Sequence, residues 1–530
     1  MNAISTEIEL KLALDAAQMP LLLRHPALRP LRRGRTRTAR LASTYFDSPD
    51  FRLHRDEVAL RVRRVGRRWV QTLKGPPRAA AGAGLHARAE YEWPLPGPAI
   101  DLSRLAATPW KRLVAKVADG GLVPCCTTDF ERRTVDLEFP DGTTAQLCVD
   151  RGEIRAVYGG RVRRVPIAEV EIELTRGDEA NLFRLAVALA ADLPLSVLTE
   201  SKSERGYALR RGLPSRVASP VRAAKVTLAA DATVADALGA IGRECLHQIA
   251  ANAGGVVGED DVEWIHQMRV GTRRLRSCLS LMAPFASREL LDPVIAEVKW
   301  LADILGKARD WDVFVTETLP PLSAWFIRDA SSAPGIKRVR ERATRRRLAA
   351  RKDARAAVSS PRLQRLLLAA GLACTPSQLA APAATPPAPA TERADLAEGA
   401  RSFAAKLLAR RHRKFADFAA TLAQAGNEER HAARIAAKRL RYGAEFFAPL
   451  FPGKRTRTYL ETLAAAQDAL GQFNDAVTAA ALASKLSGLA DDAASGAVRG
   501  WVAAQAAALE PDLAKALRRF TAAKTFWSPR

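Results

Sequence analysis

Charged side chains that recur at every second residue are the first feature of this sequence that could do chemistry. They occur at residues 7–11 (EIELK) and again at residues 169–173 (EVEIE). A β-strand turns alternate side chains to opposite faces, so each segment would present charges on one face and apolar groups on the other. Acids at i, i+2 and i+4 repel one another unless cations lie among them. Such rows could hold hard divalent cations through carboxylate oxygens.

Polar and charged side chains, with basic residues among them, follow the same spacing in three other segments, residues 60–63 (LRVR), 72–74 (TLK) and 88–93 (RAEYEW). Rows of acids facing rows of Arg and Lys inside a closed barrel could bind a phosphate chain that is bridged by cations. An ordinary antiparallel sheet with one face in water has the same spacing. Repulsion within the acidic rows favours the enclosed arrangement.

A series of motifs in this order resembles the CYTH superfamily, the triphosphate tunnel metalloenzymes. The motifs are EIELK at 7–11, YFD at 45–47, LRVR at 60–63, TLK at 72–74, GLHARAEY at 84–91, TDFER at 128–132, LCVDRGE at 147–153, EVEIEL at 169–174 and SKSERGY at 201–207. The resemblance implies an eight-stranded antiparallel β tunnel with flanking helices that binds triphosphate.

The resemblance also implies roles for individual residues. Six acids would be ligands of Mg²⁺ or Mn²⁺: Glu7, Glu9, Asp150, Glu169, Glu171 and Glu173. The triphosphate-binding set would be Lys11, Arg61, Arg63, Lys74, Arg88, Glu90, Arg132 and Lys202. The catalytic set would be Glu7, Glu9, Lys11, Arg61, Arg63 and Lys74.

The implied activity is that of an inorganic triphosphatase, a phosphoanhydride hydrolase. Metal cations and fixed basic groups would neutralise charge on the transferring phosphoryl group. Two alternatives stay open at this point: an adenylyl cyclase of the CYTH type, and a non-catalytic scaffold that binds polyphosphate.

The second half of the chain contains an internal duplication with an offset of 165 residues. Residues 266–276 (HQMRVGTRRLR) return as residues 431–441 (HAARIAAKRLR), and Asp310 maps onto Asp475 without a gap. A register held over more than forty positions indicates a repeated structural unit. At about 100° per residue, the His and most basic residues of each copy share one helix face. A solvated amphipathic face would show the same pattern, but a His at the same place in both copies favours a binding site.

This duplication resembles the CHAD domain, a helical domain associated with binding inorganic polyphosphate. The polyphosphate-binding set that we infer comprises His266, Arg269, Arg273, Arg274, Arg276, His431, Arg434, Lys438, Arg439 and Arg441. The second copy departs from the first at Gln472 and Asn474, so we assign those two positions no role. We expect Asp310 and Asp475 to anchor arginines by ion pairs.

Composition narrows the class of partner. Among 530 residues, 82 Lys and Arg against 57 Asp and Glu give a formal net charge of +25, which implies a polyanion. Aromatic residues make up 6% of the chain with no Arg–aromatic platform, which disfavours single-stranded nucleic acid. Duplex nucleic acid, bound through backbone phosphates, stays possible as a partner but is not favoured. No export signal or membrane span is recognisable, so we expect a cytoplasmic protein, with polyphosphate granules as one location, and six free thiols.

These elements predict a two-domain protein, α+β followed by all-α. The tunnel domain would occupy residues 1–212, a linker residues 213–225, and a duplicated helical bundle residues 226–525. A Pro-rich spacer at residues 375–389 would be extended.

Overall fold

A computed structural model describes residues 5–77, 82–213, 219–326, 333–380, 396–422, 426–486 and 493–528. The chain forms two compact units that interleave along the sequence. The first comprises residues 1–222, 242–258 and 360–381, and the second residues 223–241, 259–359 and 382–530. Two segments that sequence analysis placed in the helical domain therefore cluster with the first unit. The predicted domain boundaries remain a prediction.

The first unit is built on an antiparallel sheet. Its strands are β1 Ser5–Ala13, β2 Arg32–Asp47, β3 Ala59–Val65, β4 Arg68–Pro77, β5 Leu85–Leu95, β6 Val123–Glu138, β7 Thr144–Tyr158, β8 Arg161–Arg176 and β9 Ser196–Val197. Their order is β5-β4-β3-β2-β6-β7-β8-β1-β9, and pairing of β5 with β1 closes eight long strands into a barrel. The predicted eight-stranded antiparallel tunnel is confirmed. The two-residue strand β9 was not predicted.

Helices cover parts of the apolar outer face of the barrel. Those before the second unit are α1 Met19–Leu23, α2 Arg52–Arg55, α3 Lys111–Asp119, α4 Ala180–Asp192 and α5 Lys202–Arg210. Helix α3 buries Val114 and Val117 against Leu60 and Leu73, which alternate with inward-facing polar residues of β3 and β4. Because helices bury the apolar faces of these strands, the charged faces are left to line the interior.

The helical part of the chain continues the numbering. Its helices are α6 Val234–Gly258, α7 Val262–Met282, α8 Arg288–Val313, α9 Leu319–Phe326, α10 Ala333–Val358, α11 Pro361–Ala373, α12 Pro376–Ala380, α13 Ala400–Thr421, α14 Asn427–Phe447, α15 Lys454–Leu486, α16 Ala493–Ala508 and α17 Glu510–Thr521. Helices α7 and α14 begin and end at positions that differ by 165, the offset of the duplication. Each packs against the next long helix, α8 or α15. The predicted all-helical region is confirmed.

The start of the Pro-rich spacer is helical, which corrects the prediction of an extended segment there. Thr375 and Leu379 are fully buried, and Pro376 begins α12. Proline is tolerated at the first helical position because that N–H has no intrahelical acceptor. Residues 381–389 of the predicted spacer lie outside the described residues.

No helix in the described ranges is long and apolar enough to cross a membrane. The six cysteines are all buried free thiols, as predicted.

Candidate functional site

Lys11, two residues before the end of β1, contacts an acid of its own strand and an acid of the neighbouring strand β8 inside the barrel. Its Nζ lies 2.8 Å from Glu9 Oε1 and 2.6 Å from Glu171 Oε1. The antiparallel register places Lys11 opposite Glu171, and Glu9 opposite Glu173, so all four side chains share the inner face. Glu9, Lys11 and Glu171 are buried. Charges in such a place must be paired, and here they pair with one another.

Glu171 is shared by three cations. Besides Lys11, it contacts Arg132 of β6, and Lys202 Nζ lies 2.8 Å from its Oε1. Burial by itself would raise the pKa of the Glu171 carboxyl. Lys11, Lys202 and Arg132 together hold that pKa well below its usual value. Glu171 therefore stays ionised and orders the cations around it.

Lys202 enters the barrel from the first position of α5. The Ser201 side chain accepts a hydrogen bond from the Glu204 backbone N–H, and the Glu204 carboxylate accepts one from the Ser201 N–H, forming a capping box. This cap fixes the start of the helix. From there Lys202 Nζ lies 2.9 Å from Asp150 Oδ2 and 2.7 Å from Glu169 Oε2.

Asp150 is fully buried and holds Arg132 by two hydrogen bonds of 2.7 Å. Such a paired contact fixes the plane of the guanidinium as well as its position. Asp150 therefore positions two of the predicted phosphate-binding cations, Arg132 and Lys202.

Glu90 lies on β5, the strand that pairs with β1 on the side away from β8, and it contacts two further cations. Lys74 Nζ and Arg61 Nη2 each lie 3.3 Å from Glu90 Oε1, and Lys74 also contacts Glu7. Arg88 lies 3.9 Å from Glu204. Glu90 thus contacts Lys74 and Arg61, which are the cations of the neighbouring strands β3 and β4.

Inside the barrel, basic side chains crowd one another around Arg63, and acidic side chains crowd one another around Glu173. Burial, and after it Arg61 and Arg132, lower the pKa of the Arg63 guanidinium to about 10. Burial, and after it Glu7 and Glu9, raise the pKa of Glu173 to about 7. Two other cations beside Arg63 favour an anion there, and the acids Glu7, Glu9 and Glu171 around Glu173 favour a cation.

Most of the predicted tunnel residues meet at a single cavity. Its lining includes Glu7, Glu9, Lys11, Arg61, Arg63, Lys74, Arg88, Arg132, Glu171 and Lys202. The predicted residues Glu90, Asp150 and Glu169 contact lining cations, and Glu173 lies opposite Glu9. Sequence reasoning did not select Tyr45, Ala59, Ser201 and Ser203, which also line the cavity. Tyr45 and the two serines lie in the YFD and SKSERGY motifs, so a signal for them was present.

The donor chemistry of the cavity fits a hard divalent cation, because its acids offer carboxylate oxygens. Glu7, Glu9 and Glu173 are the acids whose charges crowd one another. In the described ranges, however, no three acidic, His or Cys side chains are grouped so that they could hold a metal ion. Asp150, Glu169 and Glu171 are instead bound to Lys202. The six predicted metal ligands therefore do not form a single preformed metal site.

Helices α7 and α14 bring basic residues of both repeats together. Burial, and after it Arg434, Arg273 and Arg269, lower the pKa of Lys438 to about 7. The Nε atoms of Arg273 and Arg434 are buried and have no hydrogen-bond acceptor. We call Arg269, Arg273, Arg434 and Lys438 the shared basic cluster. Its cations are underpaired, which is the condition that a bound anion would relieve.

Two aspartates partly balance this cluster. Arg269 Nη2 lies 3.7 Å from Asp310 Oδ1, and Arg434 Nη2 lies 3.9 Å from Asp475 Oδ1. The predicted anchoring ion pairs are present in both repeats.

The other predicted polyphosphate ligands differ in their surroundings. Arg276 and Arg439 are exposed. His266 is half-buried beside Arg309 and also beside Arg273 and Arg269 of the cluster. His431 is exposed and lines a cavity together with Arg434. Arg441 binds Glu445, with Nε 2.8 Å from Oε1. Arg274 is buried and also contacts Glu445. Successive side chains of a helix point about 100° apart around its axis, so Arg274 does not lie on the same face as Arg273.

Comparison with known proteins agrees with both parts of the architecture. The CYTH domain model matches residues 5–207, and the CHAD domain model matches residues 240–484. An inorganic triphosphatase of Haemophilus influenzae is 30% identical over 171 residues, which are 32% of this chain and 46% of the relative. The chain thus spans about half the length of that relative.

Two solved structures are similar to separate parts of the chain. The CHAD domain of the plant Ricinus communis is 33% identical, covering 58% of this chain and 98% of that one, with a TM-score of 0.49. HpAC1 of Hippeastrum, a proposed adenylyl cyclase with a dominant triphosphatase activity, is 21% identical, covering 39% of this chain and 97% of that one, with a TM-score of 0.27. From the two family matches, the chain carries a CYTH domain at residues 5–207 and a CHAD domain at residues 240–484.

Proposed function

We propose that the barrel hydrolyses inorganic triphosphate to phosphate and diphosphate. The observation that carries the proposal is the single buried cavity whose walls combine crowded cations with crowded acids. A purely anion-binding site would need no acids that crowd one another, as those around Glu173 do, and a metal site alone would need no cluster of Arg and Lys. Triphosphate together with a divalent cation satisfies both.

The basic residues would bind the phosphate oxygens. Arg63 is the first candidate, because Arg61 and Arg132 repel it and its Nε donates a 3.2 Å hydrogen bond to the neutral Ser43 hydroxyl. Lys11 and Lys202 are already held by Glu171, so a phosphate oxygen would meet them in fixed positions. Fixed cations require little reorganisation when charge develops on the transferring group.

We assign Mg²⁺ or Mn²⁺ to Glu7, Glu9 and Glu173, whose charges crowd one another and which a bound cation would draw into one group. When bound, the cation would supply Lewis-acid neutralisation of the phosphate oxygens. Glu9 is paired with Lys11, and Glu7 is paired with Lys74.

The direct test is product analysis with tripolyphosphate or ATP, each in Mg²⁺ or Mn²⁺. We expect orthophosphate and diphosphate from tripolyphosphate. Cyclic AMP and diphosphate from ATP, with tripolyphosphate left intact, would instead identify a cyclase. Tight binding of tripolyphosphate without any turnover would identify a scaffold.

We further propose that the shared basic cluster binds inorganic polyphosphate. A cluster whose cations come from two repeats can follow a linear polyanion, and the release of counterions from that polyanion would drive binding. Because the cluster and the tunnel are tethered in one chain, binding would raise the local concentration of polyphosphate for the barrel. We place the protein in the cytoplasm, where such a polymer would recruit it to polyphosphate granules.

Charge reversal tests the cluster in the full chain. Arg269→Glu with Arg273→Glu, or Arg434→Glu with Lys438→Glu, should each remove most salt-dependent binding of long-chain polyphosphate. Arg276→Glu with Arg439→Glu alters the same charge at exposed positions and should have a small effect. Equal losses in all three double variants would show that the net charge of the chain, rather than the cluster, determines binding. Duplex DNA that competed as well as polyphosphate would reduce the proposal to general polyanion binding.

A further inference from the structure

The second unit contains a large cavity that lies apart from the shared basic cluster. Its volume is about 650 Å³. Cavities that bind small molecules commonly span about 300–1,000 Å³. The walls come from residues 223–228, which have no regular secondary structure, from Arg274 of α7, from α14, from the turn after it and from the start of α15.

Most of the lining is apolar. Val226 and Leu228 form one side, and Phe451 and Leu460 form another. The hydroxyl of Thr456, which also lines the cavity, already donates to the Phe451 carbonyl. These walls suit the hydrocarbon body of an organic molecule and offer little to a fully charged polyphosphate.

Arg274 is the buried charge of this cavity. Its side chain is 7% exposed, and its Nη1 lies 3.4 Å from Glu445 Oε2, a long contact. Its Nε has no acceptor. The guanidinium stacks over the Phe446 ring, with Cζ 5.1 Å from the ring centroid. A guanidinium has five N–H donors, so this one is poorly satisfied by the protein alone.

The remaining charges leave the cavity positive. Glu445 is shared with Arg441, whose Nε lies 2.8 Å from Oε1, so it does not belong to Arg274 alone. Lys225 and Arg457 also line the cavity and are exposed. Three lining cations therefore face one lining acid, and that acid is already engaged by a further arginine.

The cavity is specific to one copy of the duplication. The position equivalent to Arg274 is Arg439, which is exposed, and the position equivalent to Glu445 is Ser280. The buried arginine and its acid are thus not part of what the two repeats share. A role separate from polyphosphate binding would account for this difference.

We propose that this cavity binds an amphipathic organic anion, in which one carboxylate or phosphate monoester is carried by an apolar chain. The anionic head would contact Arg274, and the chain would lie along Val226, Leu228, Phe451 and Leu460. Planar guanidinium groups pair well with both head groups.

Displacement of anilinonaphthalene sulfonate from the full chain, followed by fluorescence, tests the proposal. We expect octanoate or octyl phosphate to displace the dye at one site, and octanol or octylammonium to fail at equal concentration. Comparison of octanoate with octyl phosphate identifies the preferred head group. Arg274→Gln should weaken binding of the preferred anion by at least about tenfold. Arg439→Gln, at the equivalent exposed position, should leave binding unchanged.

Two further variants keep the test decisive if Arg274→Gln does not fold. Arg457→Glu changes an exposed cation of the lining and should weaken binding several-fold. Leu460→Trp adds bulk at the wall and should reduce binding while leaving the helix content by circular dichroism intact. Unchanged affinity in folded Arg457→Glu and Leu460→Trp would overturn the proposal. Displacement by octanol that matched octanoate, or by tripolyphosphate alone, would overturn it too.

Discussion

At the scale of single residues, the acids inside the barrel are of two kinds. Some hold basic side chains in place, and others lie beside further acids with too few basic side chains to balance their charge. Glu171 belongs to the first kind, because three cations surround it. Glu173 belongs to the second, because Glu7 and Glu9 crowd it. Glutamate therefore has two different roles in the barrel, and the charges of the neighbouring side chains determine which role each glutamate has.

Removal of a charge from the crowded acids tests the metal assignment. Glu7→Gln and Glu9→Gln retain the side-chain volume but remove a charged oxygen ligand. We expect each to lower triphosphate turnover by at least about a hundredfold, since even indirect partners of metal ligands contribute about 10–100-fold. Glu131→Gln, an exposed acid of β6, is the matched control. Turnover near the wild-type level in both tunnel variants at saturating metal would refute the assignment.

Arg63 and Lys74 should differ in their effects on stability. Arg63 is repelled by its neighbours, whereas Lys74 compensates Glu7 and Glu90. We expect Arg63→Met to raise KM about tenfold or more without lowering the unfolding temperature. Lys74→Met should raise KM and also lose about 1–3 kcal/mol of stability, because Glu7 loses this partner and Glu90 keeps only Arg61. Kinetics and thermal unfolding of both variants check this contrast, and unchanged KM in both would show that these side chains do not contact substrate.

Lys438 predicts a pH dependence of polyphosphate binding. In the free protein its pKa is about 7, because of burial and then Arg434, Arg273 and Arg269, with Asp475 opposing them. A bound polyanion favours the protonated form, so binding takes up a proton above pH 7. The affinity should fall as pH rises above 7, by at most about tenfold per unit.

Calorimetric titration with polyphosphate in buffers of different ionisation enthalpy measures this proton uptake. The Lys438→Arg side chain stays charged at neutral pH. This variant should therefore take up no proton at this position when polyphosphate binds, and its affinity should not fall as the pH rises above 7. Uptake that was equal in the wild type and Lys438→Arg would assign the titration to another group.

At the scale of elements, much of the barrel could be predicted because strand geometry has a period of two. Residues 7–11 and 169–173 had to place their charges on one face, and the structure does so. The closure of β1 on β5 involves residues far apart in sequence, and spacing alone carries no information about it. The prediction that eight strands close into a barrel therefore depended on the family resemblance.

The helices show where sequence reasoning fails. The duplication predicted equivalent helices, and α7 and α14 have equivalent ends. The phase of each helix depends on what packs against it, so the buried position of Arg274 was not predictable from the row of basic residues. An apolar helix such as α11 likewise does not reveal in its own sequence that it packs on α4.

The packing of α11 on α4 can be tested with glycine. A Cβ at Gly371 would lie 2.3 Å from Cε1 of the fully buried Phe183, whereas a Cβ at Gly471 in α15 would have no atom within 4 Å apart from its chain neighbours and the backbone of its own helix. We expect Gly371→Ala to destabilise the protein by about 1–3 kcal/mol. Gly471→Ala should be neutral or stabilising by up to about 1 kcal/mol, since alanine favours the helix. Scanning calorimetry compares them, and equal stability of the two variants would contradict the packing.

At the scale of the whole molecule, the two compact units are not two consecutive pieces of chain. Residues 242–258 and 360–381 belong with the barrel unit although they lie within the helical half. A cut near residue 222 would separate α4 from α11 and leave Phe183 without its partner. Experiments on either activity are therefore best made with the full chain, using point variants to separate the tunnel from the shared basic cluster.

The most direct test of the central claim is release of orthophosphate from tripolyphosphate by the full chain, with Mg²⁺ or Mn²⁺ and with a chelator. We expect metal-dependent release that Glu9→Gln abolishes and that Arg269→Glu with Arg273→Glu leaves intact at saturating tripolyphosphate. No release with either metal, or release that Glu9→Gln leaves unchanged, would contradict a triphosphatase site in the tunnel.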